Sequence, residues 1–114
     1  MEHKLTDRET KTAGKLLRAI REAGGMTQVE VAARMGIAQT ELSRLETGRR
    51  RIKVEDLPPW AAALGLTRPQ LQKEALAVFG VDSHTQRAFA RALAAAQPWT
   101  ARSGAGEPTA GDSA

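Results

Sequence analysis

Side chains that can pair with bases and phosphates are concentrated between Thr27 and Lys53. On a helix predicted from about Gln39 to Thr47, one face carries Gln39, Thr40, Ser43 and Arg44. A glutamine can hydrogen-bond adenine N6 and N7, and an arginine can bind guanine O6 and N7 or a phosphate. Basic residues crowd into ten positions there: Arg44, Arg49, Arg50, Arg51 and Lys53. Such focused positive charge predicts a surface that binds phosphates.

Two short helices joined by a tight turn must position these side chains. Thr27 and Glu30 have capping-box spacing and begin the first helix, which ends at Gly36 in a left-handed turn. Gly48 closes the second helix. Apolar residues at helical spacing face inward: Val31, Met35, Ile37, Leu42 and Leu45, with the small Ala32 where the helices cross. This layout predicts a helix-turn-helix whose second helix enters the DNA major groove.

Further helices are predicted on both sides of this pair. Thr6 with Glu9 begins helix one, and Gly14 inside it should cost about 1 kcal/mol relative to alanine, so that the part before it frays. A fourth helix begins near Pro58 or Pro59, or is kinked there, because proline is tolerated only in the first turn of a regular helix. Hydroxyl caps begin the fifth and sixth helices at Thr67 and Ser83, and Pro98 ends the sixth. No strand pattern occurs in the sequence, so the predicted fold class is all-α.

The bulk composition limits the class of protein. The chain has 114 residues and no cysteine, which excludes disulfides and thiolate metal sites. No membrane span or signal peptide is visible, so a cytoplasmic protein is expected. We predict an N-terminal extension and the start of helix one over 1–14, a DNA-binding domain over 15–80, an additional helix over 81–98 and a disordered tail over 99–114.

The segment from Leu16 to Leu66 resembles the phage-repressor-like (Cro/C1, or XRE) helix-turn-helix family. The matching residues are Arg21, Thr27, Gln28, Ala32, Gly36, Ser43, Arg44, Leu45, Glu46 and Gly48, followed by the sequence IKVEDLPPWAAALGL. The resemblance implies a compact five-helix lambda-repressor-like DNA-binding domain, here with an additional C-terminal helix. It also implies a sequence-specific transcriptional regulator of double-stranded DNA, a repressor that reads an inverted repeat through the helix at 39–47.

The resemblance also implies roles for individual residues. Gln28 would contact phosphate and brace the reading side chain of Gln39, while Arg49 to Arg51 would hold the DNA backbone. The full DNA-binding set is Thr27, Gln28, Ala38, Gln39, Thr40, Ser43, Arg44, Arg49, Arg50, Arg51 and Lys53. Arg21 and Glu46 match a structural ion pair.

Two positions depart from the family pattern. Ala38 stands where a capping Ser or Thr is usual, and a missing cap costs about 1 kcal/mol. Glu41 is acidic near the reading face. It could read cytosine, repel phosphates, or point aside and do neither.

Partners beyond DNA are less defined by the sequence. A homodimer is expected, with Phe79, Phe89 and Leu93 as interface anchors, unless the sixth helix folds back onto its own domain. Alternatives are an antitoxin that binds a toxin through its C-terminal helices, and a protein-interaction module without DNA binding. His3 and His84 are far apart in sequence, and no metal or catalytic motif is present. No enzyme activity, metal or cofactor is therefore expected.

Overall fold

The helices begin where the sequence supplies local caps. The computed structural model describes residues 3–81 and 83–96. The helices in this part are α1 (Asp7–Ala23), α2 (Gln28–Met35), α3 (Gln39–Thr47), a 3-10 turn η1 (Val54–Asp56), α4 (Leu57–Ala63), α5 (Arg68–Phe79) and α6 (His84–Ala95). Within these ranges the extended backbone pairing is limited to an isolated antiparallel bridge between Lys4 and Lys53. The all-α prediction is confirmed.

Reciprocal capping boxes begin α1, α2 and α5. At α1 the Thr6 hydroxyl accepts from the Glu9 amide at 3.1 Å, and the Glu9 carboxylate accepts from the Thr6 amide at 3.0 Å. Thr27 with Glu30 and Thr67 with Gln70 repeat this arrangement. Each box satisfies two amides that would otherwise lack partners at a helix start, so the predicted start positions are confirmed.

Gly14 permits close contact between α1 and α3. A Cβ atom at this position would lie 2.6 Å from the Leu45 carbonyl oxygen and 3.0 Å from the Glu46 carbonyl oxygen. The helix runs without interruption through Gly14, from Asp7 to Ala23. The prediction that Gly14 causes the start of α1 to fray is therefore wrong: a glycine that is unfavourable for an isolated helix is required by the packing of two helices.

The two consecutive prolines lie in the first turn of α4. The helix begins at Leu57, and the 3-10 turn η1 leads directly into it. Because first-turn amides have no acceptor within the helix, Pro58 and Pro59 remove no helical hydrogen bond there. Trp60 follows and is fully buried in the core. The prediction of a start at the prolines is correct to within one residue.

The sixth helix folds back onto the rest of the chain, against η1 and α5. Phe89 is fully buried, Leu93 is 2% exposed and Phe79 is 8% exposed. The Phe79 and Phe89 rings meet with centroids 6.0 Å apart. These three side chains, the predicted dimer anchors, are covered by their own chain in the monomer. The alternative in which α6 packs on its own domain is the observed one.

The core extends beyond both predicted boundaries of the DNA-binding domain. Leu5 lies before the predicted start at residue 15 and is fully buried, together with Thr10 and Ala13. Phe89 joins the same apolar cluster from the other end of the chain. Residues 3–81 and 83–96 therefore share one core. The predicted disordered tail over 99–114 and the helix-ending Pro98 lie outside the described residues.

Among the described helices, none combines the length and apolarity required to cross a lipid bilayer.

Candidate nucleic-acid interface

The helix α3 separates its core-facing residues from a polar face. Leu42, Leu45 and Glu46 are buried. The predicted reading set lies on the accessible side, with Gln39, Thr40 and Arg44 exposed and Ser43 half-buried. At the start of α3, Ala38 is extended and makes no side-chain capping bond. The absence of a side-chain cap at Ala38, predicted from the sequence, is therefore confirmed.

A chain of hydrogen bonds connects the first residue of α3 to a buried ion pair. The Gln39 side-chain amide donates to Gln28 Oε1 at 2.6 Å. The Gln28 amide in turn donates to Glu46 Oε1 at 2.9 Å. Glu46 is held by the Arg21 guanidinium through two bonds, Nε to Oε2 at 2.7 Å and Nη2 to Oε1 at 3.1 Å. The orientation of Gln39 is thus coupled to Arg21 of α1 through two intervening side chains, Gln28 and Glu46.

The Arg21–Glu46 pair is largely removed from solvent and is joined by two hydrogen bonds. The exposed fraction is 9% for the Arg21 side chain and zero for that of Glu46. Arg21 also donates from Nη1 to the Met26 carbonyl at 2.8 Å. The hydrogen bond to Glu46 raises the pKa of the Arg21 guanidinium, against the opposing effect of burial. The two opposite charges therefore compensate each other in the buried site.

Residues Arg49 to Arg51 follow α3 and form what we call the arginine loop. Two of these arginines contact carboxylates. Arg50 forms an ion pair with Glu41 of α3, and Arg51 Nη2 lies 2.5 Å from Asp7 Oδ1 at the start of α1. This hydrogen bond from Arg51 lowers the pKa of the Asp7 carboxyl. Glu41 thus contacts the loop that follows α3. Sequence reasoning did not identify Asp7 or Glu41 as partners of these arginines.

The remaining predicted residues flank this surface. Thr27 caps α2, and a bond from its backbone amide to Glu30 lowers the pKa of the Glu30 carboxyl. Arg49 is exposed and has no ion pair with any residue that the structure describes. Lys53 is half-buried, and its backbone pairs with Lys4. Two side chains from outside α3 contact its polar residues. Gln28, which precedes α3 in sequence, contacts Gln39, and Arg50, which follows it, contacts Glu41.

This geometry suits the binding of nucleic acid. Acceptors and donors of Gln39, Thr40 and Ser43 lie on one helix, and cations follow directly in the next loop. Among the residues described, no group of three or more His, Asp or Glu side chains is arranged to hold a metal ion. His3 Nε2 instead lies 3.3 Å from the Thr85 hydroxyl, and its ring lies 5.1 Å from that of His84. The two histidines, which are far apart in sequence, are therefore neighbours between the N-terminal segment and α6.

Comparison with known proteins agrees with this geometry. The model of a helix-turn-helix family matches residues 17–73, which is half of the chain. A protein of Sinorhizobium fredii (strain NBRC 101917 / NGR234) is 43% identical over 61 residues, covering 54% of this chain and 79% of the relative. That relative is named an uncharacterized HTH-type transcriptional regulator, y4dJ. The chain belongs to the Cro/C1-type (XRE) helix-turn-helix family.

Proposed function

We propose that this protein is a sequence-specific transcriptional regulator that binds double-stranded DNA and acts as a repressor by occluding its site. In this proposal α3 lies in the major groove, and Gln39, Thr40, Ser43 and Arg44 face the base edges. The observation that carries the proposal is the hydrogen bond from Gln39 to Gln28, with its continuation to Glu46. The similarity to a relative named as a transcriptional regulator supports the same class.

The restraint on Gln39 has a direct consequence for base recognition. Fixing a flexible side chain at an interface costs about 0.5–1.5 kcal/mol of binding free energy. Because the fold already restrains Gln39, this cost does not reduce the affinity for DNA. A glutamine held in this way can present its amide to adenine N6 and N7, which discriminates against other bases by about 1–3 kcal/mol. We therefore assign base reading first to Gln39.

The arginine loop supplies the sequence-independent part of binding. Arg49 is available to phosphate. Arg50 can exchange the half-buried Glu41 carboxylate, and Arg51 the exposed Asp7 carboxylate, for phosphate oxygens. Gln28 lies beside Gln39 at the start of α2 and completes this set. Such contacts fix the position of a protein on the duplex without reading sequence, and they weaken as salt increases.

Recognition by two copies on an inverted repeat completes the proposal. A two-fold dimer would read half-sites about one helical turn, roughly 10 base pairs, apart. Phe79, Phe89 and Leu93 are buried within the monomer, so such a dimer must use other surfaces. The antitoxin alternative requires the C-terminal helices to bind a toxin. Leu71 and Phe79 of α5 and Phe89 and Leu93 of α6 are buried within this chain, which leaves Leu76 of α5, 46% exposed, for such a contact. We therefore favour the regulator.

Selection of bound sites from random duplexes at two salt concentrations tests this proposal. We expect an enriched inverted repeat whose preference persists at the higher salt, while binding to unrelated duplexes falls steeply. Light scattering of the selected complex should give two protein copies per duplex. Absence of salt-dependent binding would refute DNA recognition altogether, and enrichment of a single unrepeated half-site would refute the dimeric arrangement alone.

A further inference from the structure

A surface cavity beside the arginine loop is lined entirely by basic residues. Its volume is about 230 Å³, and its lining consists of Lys4, Arg50, Arg51 and Lys53. Lys4 comes from the N-terminal segment, whose position near the DNA-binding loop was not predicted. Two parts of the chain that are distant in sequence therefore form one positively charged cavity.

The position of Lys4 is fixed by the backbone and by the core. The Leu5 amide donates to the Ile52 carbonyl at 2.8 Å, and the Val54 amide donates to the His3 carbonyl at 2.8 Å. These bonds flank the antiparallel bridge between Lys4 and Lys53. Leu5 and Ile52 are fully buried, and their burial anchors the two segments that the bridge connects. Folding thus brings Lys4 to the edge of the arginine loop in a defined register.

The charges of the cavity call for an anionic ligand. Four cations that share one cavity repel each other, and an anion between them would relieve that repulsion. Arg50 and Arg51 also contact the carboxylates of Glu41 and Asp7. Phosphate oxygens suit both guanidinium and ammonium donors. The lining contains no aromatic or apolar residue on which a base or sugar could pack. These features favour the phosphates of a nucleic-acid backbone over a free nucleotide.

We propose that the cavity formed by Lys4, Arg50, Arg51 and Lys53 binds backbone phosphate of the DNA, so that the N-terminal segment belongs to the DNA interface. This inference rests on the proposed function and extends it to Lys4, a residue outside the helix-turn-helix. Lys4 contacts phosphate only, so it strengthens binding to every sequence equally. It also extends the protein's contact along the DNA strand held by the arginine loop.

The test compares full-length wild type with Lys4→Ala and Lys4→Gln on the selected duplex and on an unrelated duplex. Lys73→Ala is the matched control, because Lys73 is an exposed lysine of α5 and its loss changes the net charge equally. Removing one phosphate contact should reduce the slope of log affinity against log salt by about 0.9. Taking the two affinities as equal at about 1 M salt, this change of slope corresponds to a weakening of about 15-fold at 0.05 M salt and about 4-fold at 0.2 M salt. The weakening should be the same for both duplexes.

Each other outcome overturns the proposal in a distinct way. If the Lys4 variants bind with the wild-type slope, or match Lys73→Ala, then Lys4 does not contact the DNA backbone, while the proposed function stands. If wild type itself shows no salt-dependent DNA binding, both proposals fail together. If Lys4→Ala abolishes binding of inorganic phosphate but leaves the DNA slope unchanged, the cavity is a site for free phosphate. Melting temperatures of the variants should equal that of wild type, because the Lys4 side chain is exposed.

Discussion

Removal of Glu46 should destabilise the fold far more than removal of a neighbouring acid. Glu46 and Glu22 both approach the Arg21 guanidinium, at 2.7 Å and 3.8 Å. The Glu46 side chain is fully buried, whereas that of Glu22 is 54% exposed. Glu46→Ala leaves Arg21 buried without its counter-charge, which costs about 3–5 kcal/mol. Glu22→Ala removes a solvent-exposed contact that contributes about 1 kcal/mol or less.

Thermal unfolding followed by circular dichroism measures this difference. For a domain of this size 1 kcal/mol corresponds to about 4–8 °C, so Glu46→Ala should lower Tm by at least about 12 °C. The double variant Arg21→Met with Glu46→Leu should recover most of the loss, because no unpaired charge remains. Equal Tm values for Glu46→Ala and Glu22→Ala would refute the reasoning. So would a double variant less stable than Glu46→Ala.

Three further predictions follow from other contacts. Gly14→Ala should destabilise the fold by about 1–3 kcal/mol, because the new methyl group would meet the α3 backbone; a stability gain, as expected from helix propensity alone, would contradict this packing. As a control in the exposed part of α1, Ala19→Gly should cost about 1 kcal/mol. Glu41→Gln should raise the affinity for all DNA sequences, because Arg50 loses a competing partner. The same substitution should have no effect on affinity in an Arg50→Ala background. A changed preference at one base pair would indicate that Glu41 reads a base instead. Glu30 has a lowered pKa, so it stabilises the fold above pH 4.5, its ordinary pKa, and that contribution is lost as pH falls through the lowered value. Glu30→Gln should therefore have a lower Tm than wild type at pH 7, with the two values converging in acid, and a constant difference between pH 7 and pH 3 would contradict this origin.

Helix starts were predictable because their determinants are local. A threonine followed three residues later by Glu or Gln satisfies its own amides, whatever the rest of the fold does. The glycine ends of α2 and α3 are local in the same sense: Gly36 and Gly48 have φ of 74° and 77°, which other residues rarely adopt. Element types and order therefore follow from short stretches of sequence.

Tertiary packing decided the features that sequence reasoning missed. The role of Gly14 depends on how closely α3 crosses α1, and helix propensity carries no information about that distance. The apolar face of α6 showed that Phe89 and Leu93 must be buried, but a second copy or the same chain could have covered them. Only the path of the chain after Gly80 determines which one does.

The candidate site was predictable in its residues and less so in its contacts. The resemblance indicated the Gln28–Gln39 pair and the Arg21–Glu46 pair, and the structure has both at hydrogen-bond distance. The partners of the arginine loop come from remote positions, as with Arg51 and Asp7, which are 44 residues apart. Their contacts depend on where the N-terminal segment lies, and neither charge nor spacing reveals that position.

The central claim is that Gln39 reads bases while the arginine loop holds phosphates. Site selection with wild type, Gln39→Ala and Arg49→Ala, followed by salt titration on the selected duplex, tests it most directly. Gln39→Ala should lose preference at one position of each half-site and keep the wild-type salt slope. Arg49→Ala should keep every preference, weaken all sequences alike, and reduce the slope by about 0.9. Identical effects of the two variants on preference and slope would contradict the claim.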